Sequence, residues 1–352
     1  MLRYVIVGSG YRSLYYGRIA ARYPELFQAL YLCRSAEKAA LVEGKTSVKA
    51  VTGAEEALSF QPDFAVIAVD KGHVFEVARQ WLEYGVPVLT ETPAGDSLIE
   101  LDALWHLYEQ GARISCCEQY FRYPILAKGL KAVSDGLIGA PQSAYCSMLH
   151  DYHAASIIRK ALCIQPGEGF TITGLRSRET LLQSDSREGA ILDGSTRTYD
   201  HDQAIISFAS GKTAIYDFNA VQYRTFLRSR HLCVRGERGE WSDTLLLCAG
   251  SDDQPERRML TPEIPEGYRC LDTQALRDRR RYWSAELSPD TVQDEFAIAS
   301  ILLDMSAYLA GGPSPYDIRD ALEDAYFYLL LQEACAGGKT VCSESRLWHG
   351  NT

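Results

Sequence analysis

The sequence lacks any apolar run long enough to cross a membrane, and it has no excess of basic charge. No stretch reaches the ~20 consecutive apolar residues that a membrane-spanning helix needs. The formal net charge is -10, which argues against a nucleic-acid-binding protein, because phosphate contacts need a basic face. The run at 277–281, Arg-Asp-Arg-Arg-Arg, is a local exception that a solvated helix end or a contact with an anionic group explains.

The sequence also lacks cysteines at the spacing of a zinc site. Its ten cysteines lie partly in predicted strands, so we expect reduced, mostly buried thiols and no metal. Cys116 and Cys117 should point to opposite faces of a strand, which disfavours a shared metal site. The first predicted strand begins at residue 2, so no signal peptide is expected. These features together predict a cytoplasmic protein.

The composition is that of an ordinary soluble globular protein without repeats or low-complexity tracts. Hydrophobic residues make up 46% of the chain and charged residues 23%, which is typical of globular domains. A chain of 352 residues is long for one hydrophobic core, so two domains are expected.

The start of the chain carries a strand, a glycine turn and a helix. The apolar run 2–7 is followed by Gly8, Gly10 and an amphipathic segment at 14–20. Gly8 permits a tight turn, Gly10 lets the backbone approach a pyrophosphate, and the helix N-terminus meets its negative charge. Ser13 stands where the pattern G-x-G-x-x-G has its third glycine, and a glycine turn that binds nothing is the alternative interpretation.

The first third of the chain then alternates strands and helices. The predicted strands are 28–33, 47–51, 63–69, 86–89 and 113–117. The predicted helices are 35–43, 74–84 and 97–110, the last two ended by glycine. This cycle predicts a doubly wound parallel sheet.

Beyond about residue 120 the pattern favours antiparallel strands. A helix at 124–134 precedes a hairpin of 203–209 and 213–218, with further strands at 171–177 and 230–235. We expect 140–285 to form a mainly antiparallel sheet with one face covered, and 250–270 to be a long surface loop. Amphipathic helices at 292–310 and 318–336 should close the chain.

Several motifs occur in order along the chain. They are Gly-x-Gly-x-Arg at 8–12, Leu-Thr-Glu-Thr-Pro at 89–93, Glu-Gln-Tyr at 118–120, Gly-Leu-Ile-Gly at 136–139 and Asp-Ala-Leu-Glu-Asp at 320–324. Together they resemble the Gfo/Idh/MocA family of NAD(P)-dependent oxidoreductases. The resemblance implies an α/β fold with an N-terminal Rossmann domain at 1–120. It also implies a C-terminal α+β domain at 121–352, built on a large open sheet through which homo-oligomers form.

Two positions depart from the family's pattern. Family members commonly carry Glu-Lys-Pro after the fifth strand, where this chain has Glu91, Thr92 and Pro93. A lysine polarises a carbonyl or holds an alkoxide, whereas threonine offers a neutral hydroxyl. The usual His-x-x-Asp pair appears as His153 followed by Ser156, so the imidazole is kept and its carboxylate partner is not.

A dense polar cluster occupies 149–159, where a strand should run into a helix. We predict His153 as general acid/base, Tyr152 as second candidate and Arg159 as an anion holder. The structural alternative is that Asp151 caps the helix, His153 packs on the sheet and Arg159 is solvated. Further candidates for the substrate face, for which a surface role is equally consistent, are Arg122, Tyr223 and Arg224.

Cofactor preference is argued from the end of the second strand. NAD enzymes usually place an acidic residue there, whereas this chain has Arg34 and Ser35. An arginine with a serine hydroxyl suits a 2′-phosphate, so NADP is slightly favoured; stacking of Arg34 on adenine would discriminate nothing. The predicted cofactor-binding residues are Gly8, Ser9, Gly10, Tyr11, Arg12, Arg34, Ser35, Val69, His73, Glu91, Thr92 and Gln119. His73 could instead be only an early helix residue.

Two classes of function follow from these residues. The first is an oxidoreductase that moves a hydride to or from a sugar, cyclitol or related polyol, with no nucleic-acid or membrane partner. The second is a non-catalytic dinucleotide-binding sensor of the same fold, favoured by the replacements at Thr92 and Ser156. An enzyme that holds its cofactor tightly and returns the hydride is intermediate between them.

Overall fold

The chain forms two compact units. The computed structural model describes residues 1–186, 189–271 and 291–350. One unit consists of Met1–Gln119 and Glu295–Tyr326, the other of Tyr120–Asp294 and Phe327–Thr352. The basic run at 277–281 lies outside the described residues.

The first unit contains a six-stranded parallel sheet. Its strands are β1 Leu2–Val7, β2 Phe27–Leu32, β3 Ala50–Val51, β4 Phe64–Ile67, β5 Val88–Thr90 and β6 Ile114–Cys116, and its helices are α1 Ser13–Arg22, α2 Ala36–Thr46, α3 Ala54–Ser59, α4 Val74–Glu83 and α5 Leu98–Glu109. The strand order β3-β2-β1-β4-β5-β6 reverses direction between β1 and β4. In sheets of this order ligands bind outside the carboxyl ends of the strands at that reversal.

Most of these elements were expected from the sequence, and their caps explain why. Ser35 and Ser97 precede α2 and α5, and each hydroxyl accepts a hydrogen bond from a backbone N–H three residues on. Gly85 follows α4 with a φ of 76°, a left-handed conformation that glycine adopts without strain. The sequence did not predict α3, which has only six residues.

The second unit contains a nine-stranded, mainly antiparallel sheet and a separate two-stranded ribbon. Its elements are α6 Pro124–Ser134, β7 Pro141–Ser147, α7 Asp151–Leu162, β8 Phe170–Leu182, β9 Asp185–Ser186, β10 Gly189–Ala190, β11 Thr196–Phe208, β12 Thr213–Asn219, β13 His231–Gly236, β14 Gly239–Ser242, β15 Leu245–Ala249, β16 Pro255–Met259 and β17 Thr340–Cys342. The sheet order is β16-β15-β14-β13-β7-β12-β11-β8-β17. The expected hairpin is confirmed as β11 and β12, whereas β7 and β12 pair in parallel.

One face of this large sheet is covered and the other is open. Along β11, Ala204 and Ile206 are buried while Ile205 is 58% exposed, as expected when side chains alternate between the two faces. On the covered face a Cβ at Gly174 of β8 would lie 2.7 Å from the backbone nitrogen of Cys335. Helix and strand therefore approach closely at this glycine.

Two long helices lie near the C-terminal end of the chain, where the sequence predicts them, and β17 follows the second. They are α8 Thr291–Leu309 and α9 Ile318–Gly337. Within the first unit, Ser115 of β6 donates a 3.1 Å hydrogen bond to the carbonyl of Tyr316, so the segment before α9 packs against the last parallel strand.

The prediction of a long surface loop at 250–270 is wrong in part. Residues Pro255–Met259 form the edge strand β16, which pairs with β15. The following Glu266–Leu271 is a 3-10 helix that ends in the fully buried Leu271. The strand has the sequence Pro-Glu-Arg-Arg-Met, and charged residues are usual on edge strands because they prevent pairing with other chains.

Candidate functional site

The glycine turn between β1 and α1 has the geometry of a phosphate-binding loop. Gly8 has a φ of 128°, and a Cβ there would lie 2.2 Å from the carbonyl oxygen of Ala68, so only glycine fits. The N–H of Gly8 donates a 3.2 Å hydrogen bond to the carbonyl of Leu32. In contrast, a Cβ at Gly10 would meet no atom within 4 Å. The loop is thus fixed on one side and open on the other.

A glycine that the sequence analysis missed provides the close packing of α1. A Cβ at Gly17 would lie 2.2 Å from the hydroxyl oxygen of Tyr31 on β2. That hydroxyl donates a 2.9 Å hydrogen bond to the carbonyl of Ser13, and the Ser13 hydroxyl donates one of 2.7 Å to the carbonyl of Gly10. Gly17 therefore supplies the close helix–strand packing expected of the third glycine of the motif. A glycine inside a helix costs about 1 kcal/mol relative to alanine. The presence of Gly17 within the predicted helix 14–20 is therefore the signal that could have revealed its packing role.

Glu91, at the end of β5, is held by two side chains from the start of α1. It is 6% exposed, accepts a 2.6 Å hydrogen bond from the Tyr16 hydroxyl, and lies 3.2 Å from Nε of Arg12. Burial, then the neighbouring Cys117 and Glu91, raises the pKa of Tyr16 well above its ordinary value. The phenol thus stays protonated and donates. The structure brings Arg12 and Glu91 together, and Tyr16 is a partner that the sequence analysis missed.

The other predicted cofactor-binding residues lie along the same edge of the parallel sheet. In the loop, the Tyr11 hydroxyl lies 3.0 Å from that of Tyr15. Arg34 is exposed two residues after the end of β2, and Ser35 caps α2. The remaining predicted residues follow strands or occupy the glycine loop: Ser9, Val69 and Thr92 are half-buried, His73 is exposed in the 3-10 turn Lys71–His73, and Gln119 is buried. Thr92 and Pro93 are joined by a cis peptide bond.

The first unit therefore fits a dinucleotide. The fixed glycine, the open space beside Gly10 and the start of a helix lie at the strand-order reversal, where a pyrophosphate binds in folds of this order. Among the described residues, no group of three or more His, Cys, Asp or Glu side chains is placed to hold a metal ion. No helix in the described ranges is long and apolar enough to cross a membrane.

In the second unit, imidazole and phenol rings surround the start of α7. We call Tyr120, His150, Tyr152, His153 and Tyr223 the tyrosine–histidine cluster. The ring of His153 has its centroid 4.5 Å from those of Tyr120 and Tyr152, and 5.0 Å from that of His150. Tyr223 lies 5.3 Å from His150. The structure thus brings together three of the predicted site residues, His153, Tyr152 and Tyr223, with His150 and Tyr120.

Tyrosine hydroxyls hold the backbone at the start of α7. The N–H of His150 donates to the Tyr223 hydroxyl at 3.1 Å, and the N–H of Asp151 donates to the Tyr216 hydroxyl at 3.2 Å. Burial, then the neighbouring Tyr120, raises the pKa of Tyr223 well above its ordinary value. Burial, then the charge of Asp151, raises the pKa of Tyr216 in the same way. Both phenols are therefore neutral hydrogen-bonding groups over the ordinary pH range.

Asp151 does not cap the helix, which corrects one alternative from the sequence. The N-cap position is His150, and no side-chain cap is formed. Asp151 is the first helical residue, with a φ of 47°. Its Oδ2 lies 3.3 Å from Nδ1 of His150, and its Oδ1 accepts a 2.7 Å hydrogen bond from Nε2 of Gln332. Its carboxylate is therefore directed at an imidazole.

The predicted arginines occupy different surroundings. Arg159 on α7 is only 3% exposed, so its interpretation as a solvated charge is wrong. Nη1 of Arg122 donates a 3.2 Å hydrogen bond to the hydroxyl of Tyr268. The carbonyl of Arg224 accepts one of 3.2 Å from the Ser184 hydroxyl. The N–H of Arg224 also donates to the carbonyl of Val221 at 2.7 Å, so both described hydrogen bonds of Arg224 are made through its backbone, while its neighbour Tyr223 belongs to the tyrosine–histidine cluster.

Solved structures share this fold over nearly the whole chain. A levoglucosan dehydrogenase in complex with NADH and levoglucosan has a TM-score of 0.71 at 16% identity, covering 97% of this chain and 99% of that one. An oxidoreductase from Agrobacterium radiobacter in complex with NAD+, L-tartaric acid and magnesium has 0.70 at 14%, covering 97% and 98%. A UDP-N-acetylglucosamine 3-dehydrogenase from Acidithiobacillus ferrooxidans has 0.65 at 15%, covering 96% and 98%. At these identities the likeness shows the fold.

A sequence comparison finds a family match for the N-terminal part of the chain. No curated protein sequence matches the chain. A family model described as "Oxidoreductase family, NAD-binding Rossmann fold" matches residues 2–117, which contain all six parallel strands of the first unit. In this region the chain matches the Gfo/Idh/MocA oxidoreductase family, the family that its motifs resemble.

Proposed function

We propose that the chain is an NAD(P)-dependent oxidoreductase acting on a CH–OH group of a sugar, cyclitol or related polyol. The observation that carries the proposal is the tyrosine–histidine cluster, in which two imidazoles are in contact. The same chain has an NAD-binding Rossmann fold. Imidazole is the side chain best suited to proton transfer near neutral pH. A protein that only binds the cofactor has no need of such a group.

The cofactor is expected to bind along the carboxyl edge of the parallel sheet in the proposed domain 1–120. Gly8, Gly10 and the start of α1 meet the pyrophosphate, and Glu91 and Gln119 border the nicotinamide. Arg34, exposed after β2, is free to approach a ribose phosphate, which supports a slight preference for NADP. When bound, the cofactor accepts or supplies a hydride.

The substrate is expected to bind through the proposed domain 121–352. Aromatic rings pack against the apolar C–H faces of sugars while their hydroxyls and nearby polar groups bind the substrate hydroxyls. The tyrosine–histidine cluster offers both kinds of surface. Structures similar in fold include enzymes named for levoglucosan and UDP-N-acetylglucosamine, which favours this substrate class. We infer that Arg122, Arg159, Tyr223 and Arg224 contribute to substrate binding.

His153 is the proposed general acid/base, with Tyr152 as the second candidate. In oxidation the group takes the hydroxyl proton as the hydride leaves, and in reduction it returns a proton to the carbonyl oxygen. Thr92 stands in place of the family's lysine, so stabilisation of a developing alkoxide by a cation is not available from that position. Proton transfer by the cluster therefore has to account for more of the rate enhancement than in family members that carry the lysine.

The open face of the large sheet is the proposed surface for homo-oligomers. Leu175, Ile205 and Ile215 are between 47% and 58% exposed and lie on paired strands of that face. Adjacent exposed apolar side chains of this kind mark interaction surfaces. We infer a cytoplasmic homo-oligomer without nucleic-acid or membrane partners; light scattering of the purified protein tests the oligomer.

The experiment that tests the proposed function combines binding and turnover. Calorimetry with NADH and NADPH measures cofactor binding, and absorbance of the reduced nicotinamide follows turnover on levoglucosan, myo-inositol, D-glucose and UDP-N-acetylglucosamine. Binding with turnover on at least one compound supports the proposal. Cofactor binding without turnover on a broad panel favours the second candidate, a dinucleotide-binding sensor, for which the replacements at Thr92 and Ser156 are the specific observation.

A further inference from the structure

Glu91 lies on the half of the parallel sheet that is expected to hold the nicotinamide. In a sheet of this order each half binds one mononucleotide, and the dinucleotide crosses the reversal between β1 and β4. Arg34 comes after β2 in the adenosine half, whereas Glu91 directly follows β5 in the other half. A charge at Glu91 is therefore expected to act on the nicotinamide.

The guanidinium of Arg12 pairs with this carboxylate. Nε of Arg12 donates a 3.2 Å hydrogen bond to Oε1 of Glu91, and the two side chains are 29% and 8% exposed. The guanidinium also lies 4.9 Å from the centroid of the Tyr15 ring, a distance at which an aromatic face attracts a cation. Arg12 is thus held beside Glu91 by contacts with two side chains of its own unit.

Arg12 supplies a positive charge that the residues next to Glu91 do not. Thr92 and Pro93 directly follow Glu91 and are neutral, where the family commonly carries a lysine. The Tyr16 hydroxyl donates a 2.6 Å hydrogen bond to the same Oε1 without bringing a charge. Removal of Arg12 would therefore leave a nearly buried carboxylate held by a neutral phenol.

The charge at this position acts differently on the two forms of the cofactor. The oxidised nicotinamide ring carries a positive charge, which it loses when it accepts a hydride. A carboxylate beside the ring stabilises the charged form and a guanidinium destabilises it, and both effects are larger where water is partly excluded. Removing either partner of the Arg12–Glu91 pair should therefore change the relative affinity for the oxidised and reduced forms.

We propose that the Arg12–Glu91 pair sets the preference of the protein for the oxidised or the reduced cofactor, because Arg12 offsets the carboxylate that would otherwise stabilise the oxidised ring. The inference rests on the proposed function and adds control of the cofactor's redox state to it. In the oxidative direction, the C–H hydrogen of the substrate leaves with its electron pair as hydride, and the hydroxyl proton goes to the acid/base group. Arg12 favours this step, since the ring that accepts the hydride loses its positive charge.

Calorimetry with NAD+, NADH, NADP+ and NADPH tests the proposal without any substrate. The measured quantity is the ratio of the dissociation constant of the oxidised form to that of the reduced form. Arg12→Gln should lower this ratio by about 10-fold, and Glu91→Gln, which still accepts a hydrogen bond from Tyr16, should raise it by about 10-fold, the scale for removing one charge near the ring in a partly solvated site. The double variant should return to near the parental ratio.

Two further variants separate the charge of Arg12 from its other properties. Arg12→Lys keeps the charge and should keep the ratio. Arg18→Gln is the matched control, because Arg18 lies on the same helix and also 4.9 Å from the Tyr15 ring, but pairs with Glu295. R18Q should have the parental ratio. Thermal midpoints verify that each variant is folded, and the opposite shift in E91Q is measurable even if R12Q is unstable.

The outcomes separate this inference from the proposed function. Equal losses of affinity for both forms in R12Q overturn the inference, because Arg12 would then bind the pyrophosphate. Shifts of the same sign in R12Q and E91Q, or a ratio in R12K equal to that in R12Q, overturn it as well. A parent protein that binds none of the four cofactors contradicts the proposed function and the inference together, whereas binding with unchanged ratios in R12Q and E91Q overturns the inference alone.

Discussion

The hydroxyl of Tyr16 donates a 2.6 Å hydrogen bond to Oε1 of Glu91. The bond joins the first helix of the Rossmann fold to the end of its fifth strand, directly before Thr92 and Pro93. Tyr16 is fully buried and Glu91 nearly so. The residue that follows the glycine loop by one helical turn therefore fixes the carboxylate beside the position at which the family carries its lysine.

Removal of this hydroxyl should destabilise the protein. We expect Tyr16→Phe to lower the free energy of unfolding by ~1.5–3 kcal/mol, the range for a buried hydrogen bond to a charged group. The control is Tyr84→Phe, because the exposed Tyr84 hydroxyl accepts a hydrogen bond only from Gln80 in the described contacts. It should change stability by less than ~0.5 kcal/mol. Equal urea midpoints for the two variants would contradict the role of Tyr16.

Substitution of the two glycines of the loop should have different effects, one on cofactor binding and the other on the stability of the fold. Gly10→Val places its side chain where no protein atom lies within 4 Å, so the fold should be kept while calorimetry shows cofactor binding abolished. Gly8→Ala forces a Cβ to within 2.2 Å of the Ala68 carbonyl and should lower the thermal midpoint. G10V with parental cofactor affinity would mean that the loop does not bind the pyrophosphate.

Arg34 should distinguish the two cofactors. If it contacts a 2′-phosphate, Arg34→Ala weakens NADP binding by about 10- to 100-fold, the scale of a charge-assisted hydrogen bond, and leaves NAD binding nearly unchanged. The measurement is a pair of calorimetric titrations on the same preparation. Equal losses for NAD and NADP would indicate adenine stacking.

Buried thiols should make stability fall at alkaline pH. Burial raises the pKa of Cys146 to about 11 and that of Cys335 to about 12, whereas a thiol in an unfolded chain ionises near 8.5. The unfolded state therefore loses these protons first. The stabilising contribution is complete below about pH 8.5 and is lost as the pH rises toward the folded values.

Urea unfolding at about pH 8 and about pH 10.5 measures this loss. Cys335→Ala should reduce the decrease in unfolding free energy between the two pH values, and the exposed Cys342 replaced by alanine should not. A pH dependence in C335A identical to that of the parent would contradict the shift at Cys335.

The parallel sheet was predictable from sequence because its strands are short, mostly apolar runs separated by helices, two of which begin at a serine cap. Ser35, Ser97 and Gly85 mark helix ends through local chemistry that needs no knowledge of the fold. Strands at the edge of a sheet were harder to predict from the sequence. The charged sequence of β16 has no apolar alternation, because little of that strand is buried.

The candidate site was predictable only where its residues are neighbours in sequence. His150, Tyr152 and His153 lie within four residues, so their proximity follows from the chain. Gln332 meets Asp151 across 181 positions, and Tyr16 meets Glu91 across 75. Polar contacts of this range depend on tertiary packing and leave no periodic signal in a single sequence.

Because Thr92 stands where the family commonly carries a lysine, the proposed catalysis depends mainly on proton transfer by the second unit. The structure adds that His153 is buried among aromatic rings, where a neutral amide in its place would keep the packing and remove the basic nitrogen. Thr92→Val should cost little turnover. Thr92→Lys should raise it, because a cation there would stabilise a developing alkoxide.

The most direct measurement is steady-state turnover of His153→Asn on the best panel substrate, with cofactor affinity measured on the same preparation. Asparagine keeps a polar group of similar reach but does not exchange a proton near neutral pH. We predict a loss of ~10²–10⁴ in turnover, the range for an acid/base group, at unchanged cofactor affinity. His153→Asn and Tyr152→Phe that both turn over like the parent would contradict the account, because the tyrosine–histidine cluster would then be structural.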